Sequence, residues 1–274
     1  MFHIYNYIIF RLIKIIVIII NYKKKALYFK LITNLSLGKY VYSYDGLKIY
    51  LPKNIRDVTF RYVVSGFYVN DYANKLETTE KNFYFIDIGS NIGYYTLKAS
   101  INNNCKQTIS IEPNYKIIKY LKKNLKINSK TKYSIYNYAI SKNNGKSKFF
   151  VNEVDSGSSS LKNYNKNSFK RIYVSNKNYT FFNKLSSKIL KNEIKIFVKI
   201  DTEGFDIQVL DELKRSILFN KIFNIYIETL NTKKNINNLK KKLKNFSLIK
   251  KNPIIDNLKD NRLVDLEFEK KLNF

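Results

Sequence analysis

The chain has 274 residues, a formal charge of +29, 45% hydrophobic residues and 15% aromatic ones, which excludes a disordered chain and fits one large α/β domain. The single cysteine, Cys105, excludes an internal disulfide and a thiolate metal cluster, and fits a reducing cytoplasm. The only histidine is His3, so acid–base work falls to carboxylates, Tyr or Lys.

The first segment, Ile4–Ile20, is apolar but carries Arg11 and Lys14. On a 100° wheel His3, Asn6, Arg11, Lys14 and Asn21 share one arc, leaving a broad apolar face. Its apolar residues favour bilayer insertion by about 4–7 kcal/mol, and the two central cations oppose it by about 5–7 kcal/mol. A spanning helix is therefore not established. Two readings remain: a helix on the inner face of the membrane, backed by Lys23–Lys25, or one packed on the protein's own body. No small-residue cleavage site follows it. Residues 26–80 read as a small β-rich collar, with Asp45-Gly46 as a hairpin turn.

Residues 81–274 read as the core. Buried strands are expected at Phe83–Ile88, Thr108–Ile111, Tyr133–Ile140, Ile194–Ile200 and Ile222–Ile227, with Arg262–Phe268 as the last. Helices are expected at Tyr94–Ser100, Tyr115–Asn128, Phe205–Leu218 and Lys233–Phe246. That alternation predicts a Rossmann-like, doubly wound, mostly parallel seven-stranded α/β sheet. The long stretch rich in Asn, Lys and Ser before Ile194 reads as a lid or insertion.

The turn after the first core strand reads Asp87-Ile-Gly89-Ser90-Asn91-Ile-Gly93-Tyr94. Open α/β sheets bind ligands at such turns. A dinucleotide site needs Gly-x-Gly-x-x-Gly; here Asn91 stands at the middle glycine and Asp87 precedes the loop. An acid there suits an ammonium and a sulfonium, hence S-adenosylmethionine, better than a pyrophosphate. Glu112-Pro113 ends the second strand, where a carboxylate can accept hydrogen bonds from both ribose hydroxyls. The candidate cofactor residues are Asp87, Gly89, Ser90, Asn91, Gly93, Tyr94, Glu112 and Pro113.

A second constellation, Phe197-Val-Lys-Ile-Asp201-Thr-Glu203-Gly-Phe-Asp206, brings two acids to the same edge, and Glu228 arrives there from the next strand. Asp201, Glu203 and Glu228 could supply a catalytic base or hold Mg²⁺ through oxygen ligands. The plainer alternative makes Asp201 and Glu203 a helix cap and a helix-start carboxylate.

Together Phe85–Tyr95, Ile111–Asn114, Asn137–Ser141, Ser159–Leu161 and above all Lys199–Gly204 resemble the FkbM-type methyltransferases, over about Gly66 to Glu228. The resemblance implies S-adenosylmethionine-dependent O-methylation of a sugar or other hydroxylated metabolite. It puts Asp87, Gly89, Asn91, Gly93 and Glu112 on the cofactor, and Asp201, Glu203 and Glu228 by the transferred methyl. The chain departs from the family at Thr180-Phe181-Phe182, where an acid is common. A nucleic-acid methyltransferase is the rival, favoured by charge alone. Against it stand 44 Lys to 6 Arg, and three prolines placed so that no Asp/Asn-Pro-Pro-aromatic block exists. A non-catalytic, membrane-associated module on the same scaffold is the other alternative.

Overall fold

The computed structural model describes residues 2–19, 24–162, 169–189, 194–253 and 263–271. Ile20, Asn21, Lys23 and Arg262, used above at element ends, lie outside them. Helices α1 (Phe2–Ile19) and α2 (Lys24–Leu35) pack together, and α2 leads to an antiparallel hairpin of β1 (Tyr40–Tyr42) and β2 (Lys48–Tyr50). Its turn is the expected Asp45-Gly46, with Gly46 at φ 92° and Ser43 Oγ donating to Asp45 Oδ1 at 2.6 Å.

The rest of the expected β-rich collar is helical: α3 (Val58–Ser65) and α4 (Asp71–Thr78) follow. The β-branched and aromatic residues of α3 have strand propensity, but the ends decide. Asp57 accepts from Phe60 N at 2.8 Å, and Gly66 closes the helix at φ 77°. Thr59, Phe60, Val63 and Val64 then form one buried stripe.

The core opens with β3 (Phe83–Ile88), α5 (Tyr94–Ser100), β4 (Cys105–Ile111), α6 (Tyr115–Asn128) and β5 (Lys132–Tyr136). The expected third strand breaks in two, because Asn137 Nδ2 donates to the carbonyls of Glu112 and Pro113 at 2.9 and 2.8 Å and turns the chain. Its second piece, β6 (Ala139–Ile140), joins β7 (Gly145–Val151) and β8 (Lys170–Lys177) in a separate sheet ordered β6-β8-β7. The predicted insertion thus has its own fold, closed by α7 (Tyr179–Ile189).

The chain returns through β9 (Lys195–Ile200), α8 (Asp206–Lys214), β10 (Ile222–Leu230), α9 (Lys233–Lys242), β11 (Phe246–Pro253) and β12 (Leu263–Lys270). Helix α8 ends four residues before the expected Leu218 and gives way to a 3₁₀ turn at Ile217–Lys221. Helix α9 stops short of the expected Phe246, which instead opens β11, a strand not expected from the sequence. The seven strands run β11-β12-β10-β9-β3-β4-β5, and β12 alone is reversed. Alternation puts Phe85, Phe197 and Tyr226 in the core beside the N-terminal helices, and Ile86, Val198 and Ile225 in the core on the other face.

Candidate active site

Register aligns the polar residues. Asp87, Lys199, Tyr226 and Glu267 pair in one row across β3, β9, β10 and β12. Just beyond, Glu228 faces Asp265 across the β10–β12 pair, while Asp201 and Gly89 leave the ends of β9 and β3. A cavity of about 810 Å³ opens on this edge. Gly89, Ser90, Asn91, Gly93, Tyr94, Glu112, Pro113, Asp201, Glu203 and Glu228 all line it. Asp87 is the one candidate that does not.

The glycines have specific reasons. Gly89 sits at φ 80°, and a Cβ there would stand 1.8 Å from the Asp201 carbonyl oxygen. The empty space therefore serves the contact between the two loops. Gly93, at φ 94°, leaves room for Leu121 of α6, which a Cβ would meet at 2.4 Å. Asn91 takes φ 49° without being glycine, a conformation Asn tolerates. Its N–H donates to Glu112 Oε2 at 2.9 Å, and Asn114 N–H donates to Oε1 at 2.8 Å. The two amides fix the Glu112 carboxylate and leave each oxygen a further lone pair. Burial nevertheless pushes its pKa up to about 7.

Asp87 lies beneath the turn. Its Oδ2 accepts from Thr96 N and Oγ1 at 3.2 and 2.7 Å, while Oδ1 lies 3.9 Å from Lys199 Nζ. Tyr94 turns its hydroxyl away, donating to Asp45 Oδ2 at 2.9 Å. Ser90 is buried, and among the described residues its hydroxyl has no partner.

Asp206 braces the second constellation. Its carboxylate accepts from Thr202 N at 2.6 Å, Thr202 Oγ1 at 3.0 Å and Gly204 N at 3.1 Å. The helix cap that the sequence offered to Asp201 is not made: α8 has no side-chain cap, Asp206 ties down the turn before it, and Asp201 lines the cavity. Glu203, inside that turn, sits at φ 52°, which is strained for a side chain of its size. Ser160, from the insertion, donates to the Glu203 carbonyl at 2.7 Å. Burial, and then the charge of Asp201, push Glu203 and Glu228 well above the usual carboxylate range. Asp201, Glu203 and Glu228 each offer an oxygen within 4.8 Å of the others.

Two further residues gain meaning from register. Lys199, buried in β9, donates to Asp201 Oδ2 at 2.8 Å, and its carboxylate neighbours raise its pKa against the effect of burial. Asp265 accepts from Tyr226 OH at 2.8 Å and is pushed up to about 7, mainly by burial. The sequence signal for Lys199 was a charge inside the apolar run Ile196–Ile200; for Asp265 there was none, since it belongs to an ordinary alternation.

Six carboxylates line the cavity: Glu112, Asp155, Asp201, Glu203, Glu228 and Asp265. Among the described residues Lys199 is the only cation lining it. Such a wall opposes a pyrophosphate and suits a ligand bearing a sulfonium and an ammonium. Glu112, anchored with lone pairs to spare at the end of the second core strand, suits a ribose. The donor set fits S-adenosylmethionine, and the sheet and its edge define a Rossmann-like methyltransferase.

The sequence agrees: residues 87–250 match the Methyltransferase FkbM domain, and the chain belongs to that family of S-adenosylmethionine-dependent methyltransferases. No curated protein matches the chain. Among solved structures, M. capricolum TrmK with S-adenosyl-homocysteine is 15% identical at a TM-score of 0.40, over 73% of this chain and 68% of that one. Precorrin-6y C5,15-methyltransferase from Geobacter metallireducens is 11% identical at 0.38, over 81% and 95%. A Pyrococcus abyssi tRNA uracil methyltransferase with S-adenosyl-L-homocysteine is 9% identical at 0.43, over 85% and 44%. Likenesses at this level carry no argument about what the chain acts on.

Proposed function

We propose that the chain transfers a methyl group to a hydroxyl oxygen of an uncharged acceptor, a saccharide or a similar hydroxylated metabolite. The observation that carries this reading is the acidic wall: a cavity with six lining carboxylates in a chain of charge +29. Carboxylates accept hydrogen bonds from hydroxyls and repel phosphates, which speaks against a nucleic acid despite the net charge. Tyr62, Tyr68, Tyr95 and Tyr138 supply ring faces to the same cavity.

S-adenosylmethionine supplies an electrophilic methyl on a sulfonium. An alcohol must lose its proton as it attacks, and Glu203 and Glu228 are the acceptors. Burial and the neighbouring carboxylates raise both pKa values and so make them stronger bases than ordinary carboxylates, and their closeness lets the pair share the proton. As the O–CH₃ bond forms, the S–CH₃ bond would break to leave a neutral thioether, and the O–H proton would pass to the glutamate pair and then to water. Lys199 donates to the third carboxylate of the cluster, Asp201, and balances its charge beside this pair. Asp201, Glu203 and Glu228 are also spaced to hold Mg²⁺, which would polarise the hydroxyl; EDTA treatment of the purified protein should then abolish transfer.

The test is transfer of a labelled methyl to a panel of neutral saccharides, phosphorylated saccharides and RNA. Labelling of neutral hydroxyls, lost in Glu203→Gln with cofactor binding retained, is the expected result. Label in RNA alone, or full activity in Asp201→Asn, Glu203→Gln and Glu228→Gln alike, would contradict it.

A further inference from the structure

Helix α1 carries a row of apolar side chains on its outer side. An amphipathic helix normally buries its apolar arc and shows its polar one. Here the two are mixed: Asn6 and in part Lys14, from the polar arc, turn inward, while His3 and Arg11 stay exposed. Asn6 is buried, donating to the Leu37 carbonyl at 2.5 Å and accepting from Leu37 N at 2.9 Å. His3 Nδ1 meets Tyr40 OH at 2.5 Å, and Lys14 Nζ lies 5.3 Å from the ring centre of Tyr44. Phe10 and Ile13 complete the buried side.

The opposite arc looks outward: Ile4 is 68% exposed, Ile8 50% and Leu12 51%. A single exposed leucine needs no explanation, but a row along one helix does. The inward hydrogen bonds fix the helix in this rotation, so the apolar row cannot turn in.

We propose that this face of α1 docks on an anionic phospholipid bilayer, with the helix lying in the interface plane. Charge selects this occupant. Arg11 is exposed beside the apolar row, Lys30 is exposed on α2, and the whole chain carries +29. An anionic lipid surface balances those charges, whereas a second copy of the chain would oppose them. Among the described residues no helix is long and apolar enough to cross a membrane, so contact is at the surface. Helix α2, on which α1 packs, reaches the cavity wall through α3. Phe29 of α2 packs on Phe60 of α3 with ring centres 6.0 Å apart, and Thr59, Tyr62 and Val63 of α3 line the cavity.

The full chain would be sedimented with vesicles of phosphatidylglycerol and phosphatidylcholine, and with phosphatidylcholine alone. Ile8→Glu/Leu12→Glu and Arg11→Glu would be compared, with light scattering for self-association and a thermal melt for folding. The expected result is binding to the anionic vesicles, weakened by salt and about ten-fold or more weaker in the folded double variant. Absence of binding, or equal binding by the double variant, would overturn the proposal. So would a self-associated chain that ignores vesicles and becomes monomeric in the double variant, since a second copy would then cover the face.

Discussion

Glu112 carries the most direct pH signature. Its pKa is raised to about 7 in the folded chain, so between about pH 4.5 and 7 the native state keeps a proton that the unfolded state has released. Stability without ligand therefore falls as pH rises through that window, and Glu112→Gln should flatten part of the fall in denaturant titrations. Ribose hydroxyls donate to the ionised form, so cofactor binding near pH 6.5 should release up to one proton. Calorimetry in buffers of different ionisation enthalpy reads this, and a release unchanged in Glu112→Gln would contradict it. Lys199→Met should leave Asp87 and Asp201 without their buried cation and cost about 3–5 kcal/mol in chemical denaturation. A cost under 1 kcal/mol would show that the cluster does not depend on that charge. The acids and glycines of the two loops were legible because strand ends and short spacings mark them. Lys199 showed only as a charge inside an apolar run and Asp265 not at all, because the pairing of β9 and β12 with β10 brings them to the edge.

At the scale of elements, the loops after β3 and β9 form one unit through Gly89. Gly89→Ala drives a methyl into the Asp201 carbonyl, so the loops must part. The expected cost is roughly 1–3 kcal/mol with loss of cofactor binding. Unchanged melting and unchanged binding in this variant would mean that the contact is dispensable. Helix α3 is tied in similarly: Asp57 caps it and also accepts from Ser156 N at 2.8 Å, beside the cavity. Asp57→Ala should cost about 1 kcal/mol for the cap and loosen residues 156–158, seen as faster amide exchange there. The strand–helix alternation of the core was legible because parallel strands buried on both faces leave continuous apolar runs. The helical collar was not, since α3 is written in strand-forming residues and specified by its caps. Strand β11 was hidden because Lys250 and Lys251 continue the lysine run of α9.

For the whole molecule, the sign of the charge changes between surface and site. The chain is strongly basic, yet the cavity is walled by carboxylates, so net charge describes what the surface meets and the cavity describes what it transforms. The surface charge bears on α1 and anionic lipid; the wall bears on a sulfonium cofactor and a neutral hydroxyl. The α/β sheet was readable from the alternation of strands and helices, while the seating of α1 depended on the hydrogen bonds that join Asn6 and His3 to distant residues. The most direct test of the central claim is calorimetric titration of the full chain with S-adenosylmethionine, repeated on Glu112→Ala. Saturable binding by the native chain, lost in a folded Glu112→Ala, is the predicted result; no binding by the folded native chain would contradict the cofactor site and the methyl transfer built on it.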